Sequence, residues 1–266
     1  MASGNGKTIR GTAEWAVATV DGGIGCPHGC RYCYARVKQA GQPGMAEPEA
    51  WKTFRADRQA VRRQYPLYSG QVMFPAHHDI VPDNLNACLA ILTSLLAAGN
   101  RVLVVSKPHR SCIETICREF GPFREQLLFR FTITARDDAI LRIWEPHAPA
   151  YCERRSSLEH AFQQGFATSV SIEPMLDSSD VVAMVEELLP FVTHSIWIGK
   201  MNRIRERVIC CSPEMEREIA RIERGQDDAR ILDIYRQLRE LPAIRWKESI
   251  KAVVGLDPAA EPGLDI

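Results

Sequence analysis

The sequence predicts an α/β fold, a partial (β/α)6 TIM-like barrel of parallel strands with helices outside. Short apolar runs alternate with amphipathic helical segments, the pattern of a parallel sheet with right-handed crossovers. Six such units are too few for a closed eight-stranded barrel and fit an open one. The composition agrees, because 266 residues that are 45% hydrophobic and 25% charged indicate a globular protein and exclude disordered, collagen-like and coiled-coil chains.

Each predicted element rests on a local signal. Strands are predicted where apolar and β-branched residues are dense, at residues 15–20, 71–75, 101–105, 129–134, 168–172 and 195–198, with a possible last strand at 244–246. Helices are predicted at 84–98, 111–120, 156–164 and 180–189, where Gly99, Gly165 and Pro190 mark three of the ends. Ser111 and Glu114 have the spacing of a capping box, which predicts that the second of these helices begins there.

One domain, residues 13–256, is predicted between a flexible N-terminus (1–12) and a flexible tail (257–266), because both ends are polar or rich in Gly and Pro. The chain has 33 basic and 33 acidic residues, which argues against binding through bulk positive charge. It has no apolar stretch long enough to span a membrane and no secretory signal. Nine cysteines without an export signal favour thiols or metal ligands in a reducing compartment, so we expect a cytoplasmic protein.

The most informative segment is a loop with three cysteines, Cys26, Cys30 and Cys33, directly after the first predicted strand. In a parallel α/β sheet that position is the carboxyl edge, where ligands bind. Three thiolates on one tight loop can hold three corners of a cubane iron–sulfur cluster and leave the fourth iron open. Gly25 and Gly29 allow the backbone to wrap closely around such a group.

This C-x3-C-x-aromatic-C loop resembles the signature of the radical S-adenosylmethionine (SAM) superfamily, in which Tyr32 stands for the aromatic residue. Further segments extend the resemblance to a poorly characterised group similar to spore photoproduct lyase: residues 74–79, 144–146 with Arg154, 171–174 and 197–200. The resemblance implies a [4Fe–4S] cluster and SAM as cofactors. It also implies reductive cleavage of SAM to methionine and a 5′-deoxyadenosyl radical, with flavodoxin or ferredoxin as the electron donor.

Residues at the other strand ends are expected to bind SAM. The resemblance places Tyr32 near the adenine, whereas residues 77–79 depart from the glycine-rich acidic motif that usually binds the SAM amino group. The candidate contacts are Tyr32, Asp79, Ser106, Thr134, Ser171 and Glu173. Hydroxyls suit the ribose and carboxylates suit the ammonium group. Lys200 and Lys247 can face the substrate, although a solvated position is the simpler expectation for both.

Two alternatives stay open from the sequence. One is a non-catalytic protein with a structural zinc site made by Cys26, Cys30, Cys33 and His28, although His28 lies too close in sequence to complete a tetrahedron easily. The other is repair of a DNA lesion, for which basic residues near aromatic ones would supply a groove. Two such groups are present: Arg55, Arg58, Arg62 and Arg63, and Arg203, Arg205 and Arg207. The neutral net charge favours a small-molecule substrate.

Overall fold

A computed structural model describes residues 9–40 and 48–263. Residues 1–8 of the predicted flexible N-terminus and 264–266 of the predicted tail therefore lie outside the described residues. Nine strands are present: β1 (Ala18–Thr19), β2 (Gly23–Ile24), β3 (Arg55–Ala56), β4 (Val72–Phe74), β5 (Val102–Ser106), β6 (Leu127–Thr132), β7 (Ala167–Ile172), β8 (Ser195–Ile198) and β9 (Ile244–Trp246), within the described ranges.

From β4 onward, each strand is followed by at least one helix. The helices are α1 (Tyr34–Gln39), α2 (Pro48–Trp51), α3 (Arg58–Arg62), α4 (Leu85–Ala97), α5 (Arg110–Glu119), α6 (Asp138–Trp144), α7 (Tyr151–Gln163), α8 (Val181–Leu188), α9 (Ile204–Arg207), α10 (Pro213–Gly225), α11 (Asp228–Leu238) and α12 (Glu248–Val254). Short 3-10 turns occupy Gly11–Glu14, Pro82–Asn84, Gly121–Gln126 and Leu189–Phe191.

Seven of the strands form one parallel sheet in the order β1-β4-β5-β6-β7-β8-β9. The sheet curves into a half-barrel with helices around it, which confirms the predicted partial TIM-like barrel. The possible last strand is present as β9, so the sheet has seven strands where six were predicted. β2 and β3 pair antiparallel in a separate two-stranded sheet beside the cysteine loop.

Local sequence signals explain most of these boundaries. The buried strands β5 and β6 are almost continuous apolar runs, as expected for a sheet covered on both faces. Helices α4 and α7 end where Gly99 and Gly165 adopt positive φ angles of 83° and 76°. The predicted capping box is wrong, because α5 begins at Arg110, and Glu114 instead accepts a hydrogen bond from the Arg110 Nε at 2.7 Å.

The barrel interior combines aromatic rings with buried cations. Trp15 and Trp197 meet edge to face, with ring centroids 5.7 Å apart. The Arg130 guanidinium lies 4.7 Å from the Trp15 ring and 5.1 Å from the Trp197 ring, and its Nε donates to the Ser169 hydroxyl at 3.0 Å. The described residues include no helix long and apolar enough to cross a membrane.

Candidate active site

A cavity of about 650 Å³ opens at the carboxyl edge of the sheet. Its wall consists of residues at or just after the ends of β4 to β9, together with the cysteine loop, residues 10–12 and the segment after β8. The polar and charged members of that wall are Arg10, Thr12, Tyr32, Tyr34, His77, His78, Asp79, Lys107, Thr132, Ser171, Glu173, Lys200, Asn202, Arg203, Arg207 and Glu248. The cavity therefore occupies the place where parallel α/β sheets bind ligands.

The three predicted metal ligands, Cys26, Cys30 and Cys33, all line this cavity. The Cys26 N–H donates to the Trp51 carbonyl at 2.8 Å, and the Cys33 sulfur accepts from the Arg36 N–H at 3.4 Å at the start of α1. Burial raises the pKa of the Cys26 thiol to about 12, and burial also raises the pKa of the other two thiols. Metal coordination can supply the positive charge that buried thiolates need.

A single metal ion and an iron–sulfur cluster require different spacings of the three sulfur atoms. Around a tetrahedral zinc ion with bonds of about 2.3 Å, thiolate sulfurs stand only about 4 Å apart. Among the described residues, the one set of three possible ligands whose atoms all lie within 4.8 Å of one another is Cys26, His28 and Asp79. The three cysteine sulfurs do not form such a set, so at least one pair of them lies more than 4.8 Å apart.

His28 does not complete a zinc site with the three cysteines. Its side chain is 1% exposed, its Nδ1 lies 2.8 Å from the Asp79 Oδ2, and its Nε2 lies 3.0 Å from the His109 Nε2. Both ring nitrogens therefore have protein partners, and His28 is not part of the cavity wall. In this arrangement His28, itself a residue of the cysteine loop, holds Asp79 through its Nδ1.

Asp79 connects the cysteine loop to the end of β5. Its Oδ1 accepts from the Lys107 N–H at 2.7 Å and from the Ser106 hydroxyl at 3.1 Å, and its Oδ2 lies 3.6 Å from the Lys107 Nζ. Burial alone would raise the pKa of Asp79, but the Lys107 charge and the His28 hydrogen bond hold that pKa well below its usual range. Ser106 does not line the cavity; its hydroxyl positions Asp79 instead.

Tyr32 lines the cavity and is fixed by a buried network. Its hydroxyl donates to the Glu145 carboxylate, which also accepts from the Thr134 hydroxyl at 2.9 Å and forms an ion pair with Arg154 at 2.5 Å. The Lys107 Nζ lies 5.8 Å from the centre of the Tyr32 ring. Thr134 is absent from the cavity wall, because its hydroxyl is directed to Glu145. This network gives a structural role to Glu145 and Arg154, which belong to the segments on which the family resemblance rests.

Ser171 and Glu173, at the end of β7, line the cavity, and their predicted contact with SAM stays a prediction. Burial raises the pKa of Glu173, although Lys247 lies 3.5 Å from its Oε2 and opposes that rise. Lys247 is fully buried, which corrects the expectation of a solvated lysine. Gly199 makes this possible, since a Cβ there would lie 2.8 Å from the Lys247 Cγ.

Sequence reasoning missed Glu14 and assigned no specific contact to two other residues of this region. Lys107 and Thr132 were noted only as strand-end residues near the expected SAM site. Lys107 and Thr132 line the cavity, while Glu14 forms an ion pair with Lys247. The position of Lys107 was the signal in the sequence that could have indicated its role, because this residue directly follows a buried strand, where a charge needs a partner. The partner itself, Asp79, comes from another strand and leaves no mark in the local sequence.

Comparison with known proteins shows which solved structures share this fold. No family model and no curated protein matches the chain. Among solved structures, spore photoproduct lyase complexed with dinucleoside spore photoproduct matches at 12% identity and a TM-score of 0.56, over 92% of this chain and 80% of that one. A double mutant of that lyase with bound AdoMet and dinucleoside spore photoproduct matches over the same shares, at 12% identity and a TM-score of 0.54.

A second solved protein has the same barrel. Streptococcus suis SuiB bound to S-adenosylmethionine matches at 8% identity and a TM-score of 0.53, over 93% of this chain and 54% of SuiB. The chain therefore has the partial-barrel fold of two proteins that have been solved with S-adenosylmethionine bound. The predicted resemblance to spore photoproduct lyase is confirmed at the level of the fold.

Proposed function

We propose that this chain is a radical SAM enzyme that binds a [4Fe–4S] cluster through Cys26, Cys30 and Cys33. The observation that carries the proposal is the position of the three thiols: one loop brings them to a cavity at the carboxyl edge of the sheet. At least one pair of their sulfur atoms lies more than 4.8 Å apart, beyond the spacing around a single tetrahedral ion. The fold shared with spore photoproduct lyase and SuiB supports the same function.

The cofactors would bring the difficult chemistry: a reduced cluster with SAM bound yields methionine and a 5′-deoxyadenosyl radical, which takes a hydrogen atom from the substrate. The protein has three tasks: it holds the cluster, orients SAM and keeps water from the radical. Cys26 and Cys30 are buried, which suits a site that must exclude water. With only three protein thiols in the loop, one iron remains available to SAM.

Lys107 is the residue best placed to bind the SAM carboxylate. Lys107 lines the cavity, and its ammonium lies 5.8 Å from the centre of the Tyr32 ring in the cysteine loop. Asp79 also lines the cavity, but its two oxygens already accept from Lys107, Ser106 and His28. We therefore assign to Asp79 the task of positioning Lys107, where the sequence suggested contact with the SAM ammonium.

Tyr32, Ser171 and Glu173 remain the proposed contacts for the adenine, the ribose and the ammonium of SAM. Ser106 and Thr134 were predicted to join them, and direct contact with SAM stays a prediction for both. Their hydroxyls bond Asp79 and Glu145, so we propose that they act by holding those carboxylates. A flavodoxin or ferredoxin is the proposed electron donor.

Iron content and product analysis test this function together. After anaerobic reconstitution we expect about four irons per chain, and 5′-deoxyadenosine should form when a reductant and SAM are added. Cys30→Ala should lose most of the iron and all of the product. Cys152→Ala is the matched control, because Cys152 is exposed and lies outside the cavity wall. A wild-type chain that binds one zinc ion and forms no 5′-deoxyadenosine would contradict the proposal.

A further inference from the structure

The mouth of the cavity carries basic side chains that the proposed chemistry does not use. Lys200, Arg203 and Arg207 come from the segment between β8 and the end of α9, and Arg10 comes from the start of the described chain. They come from the segment after β8 and from the N-terminal segment, whereas the residues assigned to the cluster and SAM come mainly from the cysteine loop and the ends of β4, β5 and β7. We name Lys200, Arg203, Arg207 and Arg10 the basic rim. Arg207 is the rim residue beside α1, because its carbonyl accepts from the Arg36 Nη2 at 3.3 Å.

The charges of the basic rim are weakly neutralised. Arg203 lies 3.7 Å from Glu206, whose side chain is 69% exposed, and Lys200 lies 3.9 Å from Asp228, whose side chain is 78% exposed. Such long, solvated pairs contribute little. Within residues 9–40 and 48–263, no ion pair of 4.0 Å or less joins Arg10 or Arg207 to a carboxylate, although the Arg207 charge partly offsets the burial that raises the pKa of Glu173 in the same wall.

Arg205, in the same helical turn, shows the opposite arrangement. Its Nε lies 2.8 Å from Glu223, and its Nη2 lies 3.0 Å from Glu216. Arg205 does not line the cavity. The sequence groups Arg203, Arg205 and Arg207 together, but the structure separates them. Arg203 and Arg207 line the cavity, whereas Arg205 is paired with two glutamates outside it.

The backbone that presents the rim is held in place. The Lys200 N–H donates to the Ser249 hydroxyl at 3.1 Å, and the Met201 N–H donates to the Gln226 Oε1 at 2.7 Å. Arg203 has a φ of +56°, the one positive value at a non-glycine residue in the described chain. Residues with side chains adopt this conformation rarely, and such positions concentrate at binding sites.

We propose that the basic rim binds the phosphate of a small phosphorylated substrate, a phosphomonoester, whose remaining part enters the cavity. The inference rests on the proposed function, since it takes this cavity as the place of reaction. A phosphate dianion suits the three guanidinium groups and the ammonium of the rim, because each guanidinium can donate two parallel hydrogen bonds to its oxygens. Asn202, also in the wall, adds an amide donor.

A nucleic acid fits these observations less well. A polyanion is bound by cations spread along several phosphates. Arg58, Arg62 and Arg63, in and directly after α3, are also exposed, but none of them lines the cavity in which the substrate would react. Arg205, beside it, is neutralised by two glutamates, and the chain as a whole has no net charge. The rim therefore favours a single phosphate on a small molecule.

Calorimetric titration with matched probes tests the inference. The probes are ribose 5-phosphate and adenosine monophosphate, with ribose and adenosine as their uncharged parents, and a short oligodeoxythymidine. We expect the phosphorylated probes to bind and their parents not to bind; whichever monoester binds more tightly indicates whether the phosphate belongs to a sugar or a nucleotide. Arg203→Gln and Arg207→Gln should each weaken binding about tenfold or more, and the control Arg205→Gln by less than about twofold.

Three results would overturn the inference: equal binding of the uncharged parents, an equal loss in Arg205→Gln, or binding of the oligodeoxythymidine that is tighter than that of both monoesters and depends on Arg203 and Arg207. The last result would assign the rim to nucleic acid. Titrations are run on the chain before and after iron reconstitution. Phosphate binding by a chain that fails to assemble iron would uphold the rim and reject the radical SAM function, and the reverse outcome would do the opposite.

Discussion

At the scale of single residues, the position of Tyr32 depends on a pair of charges that are completely buried. Glu145 and Arg154 have side chains with no solvent exposure, and their ion pair stands directly behind the Tyr32 hydroxyl. Burial alone would raise the pKa of Glu145, but Arg154 and Lys107 lower it, so the carboxylate stays ionised. Removing one member of such a pair leaves the other charge without compensation in a poorly solvated place.

We therefore expect Arg154→Leu to lower the free energy of unfolding by about 3–5 kcal/mol, the usual cost of breaking a buried pair. Arg118→Leu is the control, because Arg118 and its partner Glu119 are more than half exposed, and its loss should stay below about 1 kcal/mol. Urea denaturation followed by circular dichroism measures both. Similar losses of unfolding free energy in the two variants would show that the buried ion pair contributes no more to stability than an exposed one.

At the scale of elements, the cysteine loop is fixed by close backbone packing at its start. Gly25 has a φ of +102°, and a Cβ at this position would lie 2.2 Å from the carbonyl oxygen of Thr53. The loop is thus packed against the end of α2 and the segment that follows. The glycine is required here for two reasons, because its φ is unfavourable for other residues and no space exists for a side chain.

Gly25→Ala should consequently destabilise the fold by about 2 kcal/mol or more and reduce iron loading, since the strain falls next to Cys26. Gly121→Ala tests the same substitution without strain, because no atom lies within 4 Å of a Cβ there and φ is ordinary. That control should leave stability unchanged or raise it by up to about 1 kcal/mol. Thermal unfolding and an iron assay of both variants test this prediction. Unaltered iron loading in Gly25→Ala would contradict it.

Elements were predictable to the extent that their signals are local. The β-branched run of β5 and the glycine ends of α4 and α7 predict the structure closely. The first strand was predicted at residues 15–20, but β1 is only Ala18–Thr19, because the Trp15 and Ala16 N–H groups turn back to the Thr12 carbonyl. This contact closes the 3-10 turn before the strand.

Site residues followed the same division between local and distant signals. The three cysteines and Tyr32 are adjacent in sequence, so their common position at the cavity could be predicted. Thr134 was expected at the end of a strand, but β6 ends at Thr132, and Thr134 falls in the loop that meets Glu145. Such placement depends on strand register and on partners distant in the chain, which a single sequence does not reveal.

At the scale of the whole molecule, the sheet remains open between its edge strands β1 and β9. A cluster around Lys247, which follows β9, connects the two ends of the chain. Its ammonium forms an ion pair with Glu14 and donates to the Gly11 carbonyl at 2.8 Å, and the Glu248 N–H donates to the Glu14 carboxylate at 3.0 Å. The start of the domain is thereby attached to the last strand by polar contacts.

Glu14 should make this attachment sensitive to pH. Burial raises the pKa of Glu14 to about 7 from the ordinary 4.5, although Lys247 opposes the rise. Because the folded chain holds this proton more tightly than the unfolded chain, the contribution to stability is complete below pH 4.5 and is lost as the pH rises towards 7. Over that window the loss amounts to about 3 kcal/mol.

The substitution Glu14→Gln isolates this effect, because glutamine keeps the shape of the side chain but has no proton to lose. We expect the free energy of unfolding, measured in urea at several pH values, to decline more steeply in the wild type than in Glu14→Gln between pH 4.5 and 7. Glu240→Gln, at a side chain that is 83% exposed, should follow the wild type. If all three proteins give parallel curves across this window, Glu14 is ionised at neutral pH in the folded chain, and the two ends of the open barrel are joined by a permanent ion pair.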